Sequence, residues 1–206
     1  MKIYIDFDDV ICETGRYFLF IAEKLFDIVL PYSEFRFFNL QQTFKLSDKQ
    51  YKEIFDEGHK PQSLLAFEET PHASEIINKW LDEGHEVYIV TGRPYETYDI
   101  SRQWLNEHGL DRIEMYCVDK YGSKPFLNDS SYSMTLSELY EMDFDFAIDD
   151  SPASFEHILH FKNCKTVIFE RPWNIKAELP NDNFIRCSDW LQIDELLERI
   201  CAKQNA

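Results

Sequence analysis

Three carboxylates within four residues, Asp6, Asp8 and Asp9, directly follow the short apolar run Ile3-Tyr4-Ile5. Like charges that close repel one another unless a cation or a shared proton offsets them. In extended chain Asp6 and Asp8 would point to the same face. An Asp-rich turn can simply be solvated. At the end of a buried strand it has another use, because open α/β sheets place their sites at the carboxyl ends of strands.

The rest of the chain supplies such a sheet. From residue 70 on, amphipathic helices alternate with apolar strands. Thr70-Pro71 reads as a helix start, with Ala73, Ile76, Ile77, Trp80 and Leu81 on the apolar stripe and Gly84 as its stop. Strands are expected at 86–90, 113–118, 144–148 and 166–169, and a last helix at about 188–200. This pattern predicts an α/β fold, a Rossmann-like parallel sheet with helices on both faces. Residues 119–134 read as a long polar loop.

Between the first strand and residue 70 no strand pattern appears. Residues 14–30 read as a helix apolar nearly all round, of the kind wedged between two packed bodies, ended by Pro31. Ser47 with Gln50 has the form of a capping box, and Gly58 closes the helix that follows. The expected organisation is a core of 1–12 and 71–206, with a small helical cap of 13–70 inserted after the first strand.

In a parallel sheet all strands end at one edge. Four sets of polar residues then meet there: Asp6 and Asp8, Thr91-Gly92-Arg93, the loop holding Lys120 and Lys124, and Asp149-Asp150. Paired carboxylates are hard oxygen ligands suited to Mg²⁺. A Thr hydroxyl and a Gly backbone N–H can hold phosphate oxygens, and a Lys can neutralise charge that develops in transfer. These are the parts of a phosphoryl-transfer site. Asp6 could serve as nucleophile and Asp8 as general acid and base. Separately, Thr91 could be a helix cap, Lys124 a solvated loop residue, and Asp149-Asp150 a pair at a helix start.

The net charge of −17 disfavours nucleic acid and anionic membrane as partners, but not a small phosphorylated substrate met through a metal. Five cysteines, none spaced Cys-x-x-Cys, read as reduced thiols of a cytoplasmic protein without structural zinc. No apolar run reaches the roughly 20 residues of a membrane span.

Asp6-Phe-Asp-Asp-Val10 resembles the Asp-x-Asp signature of the haloacid dehalogenase-like (HAD) phosphatases. Tyr88-Ile-Val-Thr91-Gly-Arg93 resembles their second motif, Gly122-Ser-Lys124-Pro125 their third, and Ala147-Ile-Asp149-Asp150 their fourth. The order matches over nearly the whole chain. The resemblance implies Asp6 as nucleophile and Mg²⁺ ligand, and Asp8 as general acid/base that lends the metal its backbone carbonyl. It implies Thr91, Gly92 and Arg93 around the phosphoryl group, Lys124 stabilising it, and Asp149 and Asp150 completing the metal site. Lys120 could serve in place of Lys124. The insertion resembles a C1-type cap, which favours a free metabolite.

Within the superfamily the chain is most similar to the 5′(3′)-deoxyribonucleotidase-like group. The short cap, Thr-Gly-Arg-Pro, Ile-Asp-Asp and the tail Phe169-Glu-Arg-Pro-Trp-Asn174 carry this likeness. It implies a nucleoside monophosphate, with Phe18, Phe37 and Phe38 as candidates to stack on a base. Other chemistries stay open: a sugar phosphate, a 3′-phosphate at a nucleic-acid end, or a catalytically idle ligand-binding relative. A response-regulator receiver fits poorly, because its phosphoacceptor ends the third strand.

Overall fold

The computed structural model describes residues 1–122 and 132–204. Among the described residues, seven strands form one sheet in the order β4-β3-β2-β1-β5-β6-β7, every neighbouring pair parallel. They are β1 (Lys2–Ile5), β2 (Glu86–Thr91), β3 (Glu114–Val118), β4 (Ser133–Met134), β5 (Phe146–Asp149), β6 (Lys165–Phe169) and β7 (Phe184–Cys187). β1 is central, paired with β2 on one side and β5 on the other. The chain winds outward from β1 to β4, then crosses back to β5. The crevice beyond β1 and β5 is therefore the topological switch point, where open α/β sheets bind ligands.

Period-two alternation sorts the strand residues into two apolar layers. Ile3, Ile5, Val87, Ile89, Phe146, Ile148, Val167 and Phe169 face one side, joined by Trp80, Trp104 and Trp190. Tyr4, Val90, Ala147 and Ile168 face the other, with Leu139, Phe144 and Phe161. Helices α5 (Ala73–Asp82), α6 (Tyr98–Glu107), α7 (Leu136–Glu141), α8 (Phe155–Ile158) and α9 (Trp190–Gln204) accompany the sheet. Two short strands, β4 and β7, carry no sequence pattern that announces them. No helix among the described residues is long and apolar enough to cross a membrane.

Four helices precede α5: α1 (Thr14–Phe26), α2 (Leu40–Phe44), α3 (Asp48–Gly58) and α4 (Pro61–Leu65). They hold a third apolar cluster of Phe18, Ile21, Ala22, Phe35, Phe44, Leu46 and Ile54. Leu64 and Phe67 pack with the main core instead. Helix α1 stops four residues before the expected end. Asp27 takes a left-handed conformation at φ 53°, its N–H donating to the Glu23 carbonyl and the next N–H, that of Ile28, to the Ala22 carbonyl, so Pro31 is not the breaker. Nor is α1 buried all round, since Phe20 is 53% exposed and Leu25 38%. Ser47 and Gln50 do form the capping box, as do Thr135 and Glu138 at α7. Gly58 acts by closeness rather than by a left-handed turn, because a Cβ there would lie 2.5 Å from the Phe18 ring. Helix α5 begins two residues after Pro71, with His72 left-handed at φ 69° and the Glu69 carboxylate accepting from Ser74 N–H.

The two connections to these helices run side by side. Glu13 N–H donates to Glu68 and Thr70 N–H to Ile11. Arg171 braces them from the core, its Nε donating to the Asp9 carbonyl at 2.7 Å.

Candidate active site

Strand β1 ends at Ile5, and the chain then turns. Ile11 N–H bonds back to the Phe7 carbonyl, and Asp9 sits at φ 55°. Asp6 and Asp8 both face one cavity, but their carboxylates pair with different neighbours. Asp6 meets Lys120, whose ammonium donates to it at 2.9 Å. Asp8 meets Arg93, whose Nε and Nη2 donate to it at 2.9 and 2.7 Å. The Thr14 hydroxyl adds a short third bond to Asp8. A charged fork of this kind is the strong form of hydrogen bond.

Lys120 is wholly buried. Besides Asp6 it reaches the Tyr4 hydroxyl at 2.9 Å, Asp149 at 3.3 Å and the Val90 carbonyl at 3.3 Å. Tyr4, an apolar strand residue by sequence, donates its hydroxyl to Asp149 at 2.9 Å. Behind Lys120 stands a relay. The Lys120 carbonyl can only accept, so His157 Nε2 carries the proton and donates at 2.8 Å. His157 Nδ1 then accepts from the Tyr140 hydroxyl at 2.8 Å. His157 and Tyr140 have no signal in the sequence, because each acts only through a backbone carbonyl 37 residues from the histidine. Lys124 lies outside the described residues.

Asp149 ends β5, and its carboxylate accepts from Ser151 N–H at 2.8 Å. Asp150 follows, 1% exposed. Oxygens of Asp6, Asp149 and Asp150 all come within 4.8 Å of one another. Three buried carboxylates this close, with Lys120 reaching only two of them, form a hard oxygen donor set with surplus negative charge. That fits a divalent cation such as Mg²⁺. The Asp8 carboxylate stands outside this set.

The carboxyls titrate accordingly. Burial, opposed by Lys120 and reinforced by Asp149, pushes Asp6 up to about 7. Burial and the neighbouring Asp9, Asp149 and Asp6 carry Asp150 well above the usual range. Asp9, whose carboxylate accepts from Gly15 N–H, is pushed by burial up to about 7, against the pull of Arg171. Asp8 goes the other way. Burial would raise it, but Arg93 and Thr14 more than offset that and hold it below the ordinary value.

Thr91 is buried behind the site, its hydroxyl accepting from Arg93 N–H at 3.1 Å. A Cβ at Gly92 would lie 2.6 Å from the Tyr121 ring, so the close approach of these two turns needs glycine. The Arg93 guanidinium is committed to Asp8, to Ser101 at 2.9 Å and to the Phe7 ring at 3.8 Å.

Asp6, Asp8, Asp9, Gly92, Arg93 and Asp150 form the floor of a cavity of about 390 Å³. Its upper walls are aromatic: Phe18, Tyr51 and Phe55 from α1 and α3, Phe38 from the turn before α2, with Tyr121 and Trp173. Phe37 is 52% exposed and is not among the lining residues.

No family model matches the chain. It is 20% identical over 193 residues to "Putative nucleotidase OB0422" of Oceanobacillus iheyensis, covering 92% of this chain and 95% of that protein. A "Putative nucleotidase" of Bacillus cereus is 19% identical, with 97% and 99% covered. Among solved structures, a haloacid dehalogenase-like protein of Agrobacterium tumefaciens superposes with TM-score 0.62 at 10% identity, covering 97% of this chain and 98% of that one. A phosphatase of Clostridium acetobutylicum, described as predicted, gives TM-score 0.62 at 14% identity, with 98% of each covered. The chain thus has the fold of the HAD-superfamily hydrolases.

Proposed function

We propose that this protein is a HAD-type phosphomonoester hydrolase acting through an aspartyl-phosphate on Asp6. The observation that carries the proposal is the setting of Asp6: at the end of the central strand, 2.9 Å from a buried lysine and within a cluster of three carboxylates. Asp6, Asp149 and Asp150 would hold Mg²⁺, with the Asp8 backbone carbonyl as a further ligand. Bound there, the cation supplies Lewis-acid stabilisation of phosphoryl charge.

The protein's own groups divide the remaining work. An Asp6 carboxylate oxygen attacks phosphorus, and the bond from phosphorus to the ester oxygen breaks. Asp8 gives a proton to that leaving oxygen, then takes one from the water that cleaves the Asp6–phosphorus bond. Inorganic phosphate and free Asp6 result. Arg93 holds Asp8 ionised, the form that accepts a proton from water; donation to the leaving oxygen requires that pairing to loosen. Thr91 and Gly92 shape the turn that faces the phosphoryl group. Lys120 neutralises charge at Asp6, the part the sequence motif gave to Lys124. His157 and Tyr140 hold Lys120 in place. Residues 13–70 act as a cap that excludes water.

The aromatic walls favour a flat leaving group, and the names of the two relatives point the same way, to a (deoxy)nucleoside monophosphate. The test is phosphate release from nucleoside 5′- and 3′-monophosphates and sugar phosphates with Mg²⁺, beside Asp6→Asn and EDTA controls. Mg²⁺-dependent release from nucleotides, absent in the variant, is expected. Preference for sugar phosphates would keep the chemistry and reject the nucleotide. Full activity in Asp6→Asn or in EDTA would reject the chemistry.

A further inference from the structure

Trp173 belongs to two parts of the molecule at once. Its indole Nε1–H donates to Asp150 Oδ2 at 2.7 Å, and Asp150 is one of the three clustered carboxylates. Its ring packs against the apolar cluster of the inserted helices. The ring centroid lies 5.0 Å from Phe35 and 6.2 Å from Tyr32, the latter edge to face. Gly15, at the start of α1, is equally close. A Cβ there would lie 3.2 Å from Trp173 Cη2 and 3.2 Å from an Asp9 carboxylate oxygen.

The segment carrying Trp173 is tightly tied to Asp150. Asn174 Nδ2 donates to the Asp150 carbonyl at 2.7 Å and to the Phe169 carbonyl at 2.8 Å. Asn174 Oδ1 accepts from Arg171 N–H, and Arg171 in turn grips the Asp9 carbonyl. The backbone of this loop is therefore fixed to the core, while the Trp173 side chain reaches across to the cap. An indole is rigid and has a single donor. Tilting its ring necessarily moves that donor relative to Asp150.

We propose that Trp173 is a positioning residue that couples cap packing to metal affinity. It occupies one direction around Asp150 Oδ2 and so sets which lone pairs are left for the cation. Such outer partners change metal affinity by about 10–100-fold when removed. The cap aromatics set the tilt of the ring. Coupling of this kind is reciprocal: whatever the cap does to metal binding, metal binding does to the cap. The inference rests on the metal site proposed above, and its test reads binding rather than turnover.

The experiment is calorimetric titration of the full chain with Mg²⁺, comparing the natural protein with Trp173→Phe and Phe35→Leu. Trp173→Phe keeps a ring against the cap and loses the donor; its Kd is expected to rise about tenfold. Phe35→Leu leaves donor and carboxylates untouched, and coupling predicts a rise of about fivefold. Trp fluorescence reads the reverse direction. Trp80, Trp104 and Trp190 are fully buried in the core, so a Mg²⁺-dependent emission change is expected to vanish in Trp173→Phe. Circular dichroism melts separate loss of folding from loss of affinity. Should Phe35→Leu upset the cap, Tyr32→Phe, which keeps the edge-to-face ring, must bind Mg²⁺ like the natural protein. An unchanged Kd in Trp173→Phe overturns the proposal. So does a changed Kd there with an unchanged one in a folded Phe35→Leu, because the effect then stops at the hydrogen bond. If the natural protein binds no Mg²⁺, the metal site fails and this inference with it.

Discussion

The floor of the cavity and its walls are built on opposite principles. The floor is charged, buried and fully engaged: Lys120 spans Asp6 and Asp149, Arg93 clamps Asp8, and Trp173 holds Asp150. The walls are aromatic side chains with few directed bonds, Phe18, Phe38, Tyr51 and Phe55 among them. A directed network of buried charges tolerates little change, because removing one partner strands the other. An apolar wall can be resized at modest cost if its volume is kept. On the proposed function, the chemistry would lie at the sheet edge, and the aromatic walls would be the part free to change with the substrate.

The largest effect is expected from Asp6→Asn. It keeps the shape and removes the nucleophile, so phosphate release should fall by about four orders of magnitude or more, with the fold intact by circular dichroism. Lys120→Met comes next. Loss of the ammonium should lower kcat about 10²–10³-fold. It also leaves the buried Asp6 and Asp149 carboxylates without their cation, which costs about 3–5 kcal/mol in a denaturant melt. A Lys120→Met protein as active as the natural one would move the lysine role back to Lys124. On the walls, Phe38→Ala should raise KM for a nucleotide about tenfold, the scale of one lost aromatic stack, with kcat little changed. An equal loss in kcat would break the division between floor and walls.

The smallest effect concerns pH. Asp6 and Asp9 are each pushed up to about 7 in the folded protein, from about 3.9 in the unfolded chain. Between those values the folded state binds more protons, so stability falls as pH rises from 4 to 7. Asp8, held below its ordinary value, works in the opposite sense but titrates below that window. Metal-free protein should therefore melt higher at pH 5.5 than at pH 7.5, by about 2–4 °C for each kcal/mol. Mg²⁺ at pH 7.5 should narrow the gap by the part that Asp6 carries, since it takes over the work of the proton at the carboxylate cluster, while the part from Asp9, outside that cluster, stays. A gap unchanged by Mg²⁺ would separate the cluster from metal binding.

The floor was legible in the sequence because each of its carboxylates ends or follows an apolar strand. Asp6 and Asp149-Asp150 meet at the central strands as strand alternation implies. The parallel sheet followed from the same alternation. What stayed hidden acts across distance or through the backbone. Tyr4 looks like any strand residue until its hydroxyl meets Asp149. The His157–Tyr140 relay ends on a carbonyl. Strand β7, Phe184–Cys187, includes an arginine whose Nη2 donates to the carbonyls of Asn174 and Ala177, so its polarity has a partner that periodicity cannot show. Asp6 and Asp8 do share one cavity, but that one pairs with Lys120 and the other with Arg93 could not be read from alternation. The inserted helices were legible as helices through their caps, but α1 ended early because Asp27, not proline, turned the chain.

One measurement bears most directly on Asp6 as nucleophile: acid quenching during turnover, followed by peptide mass spectrometry. A phosphate adduct on the peptide containing Asp6, absent in Asp6→Asn and accumulating in Asp8→Asn, is the predicted result. Turnover with the adduct on another residue, or undiminished turnover in Asp6→Asn, would contradict it.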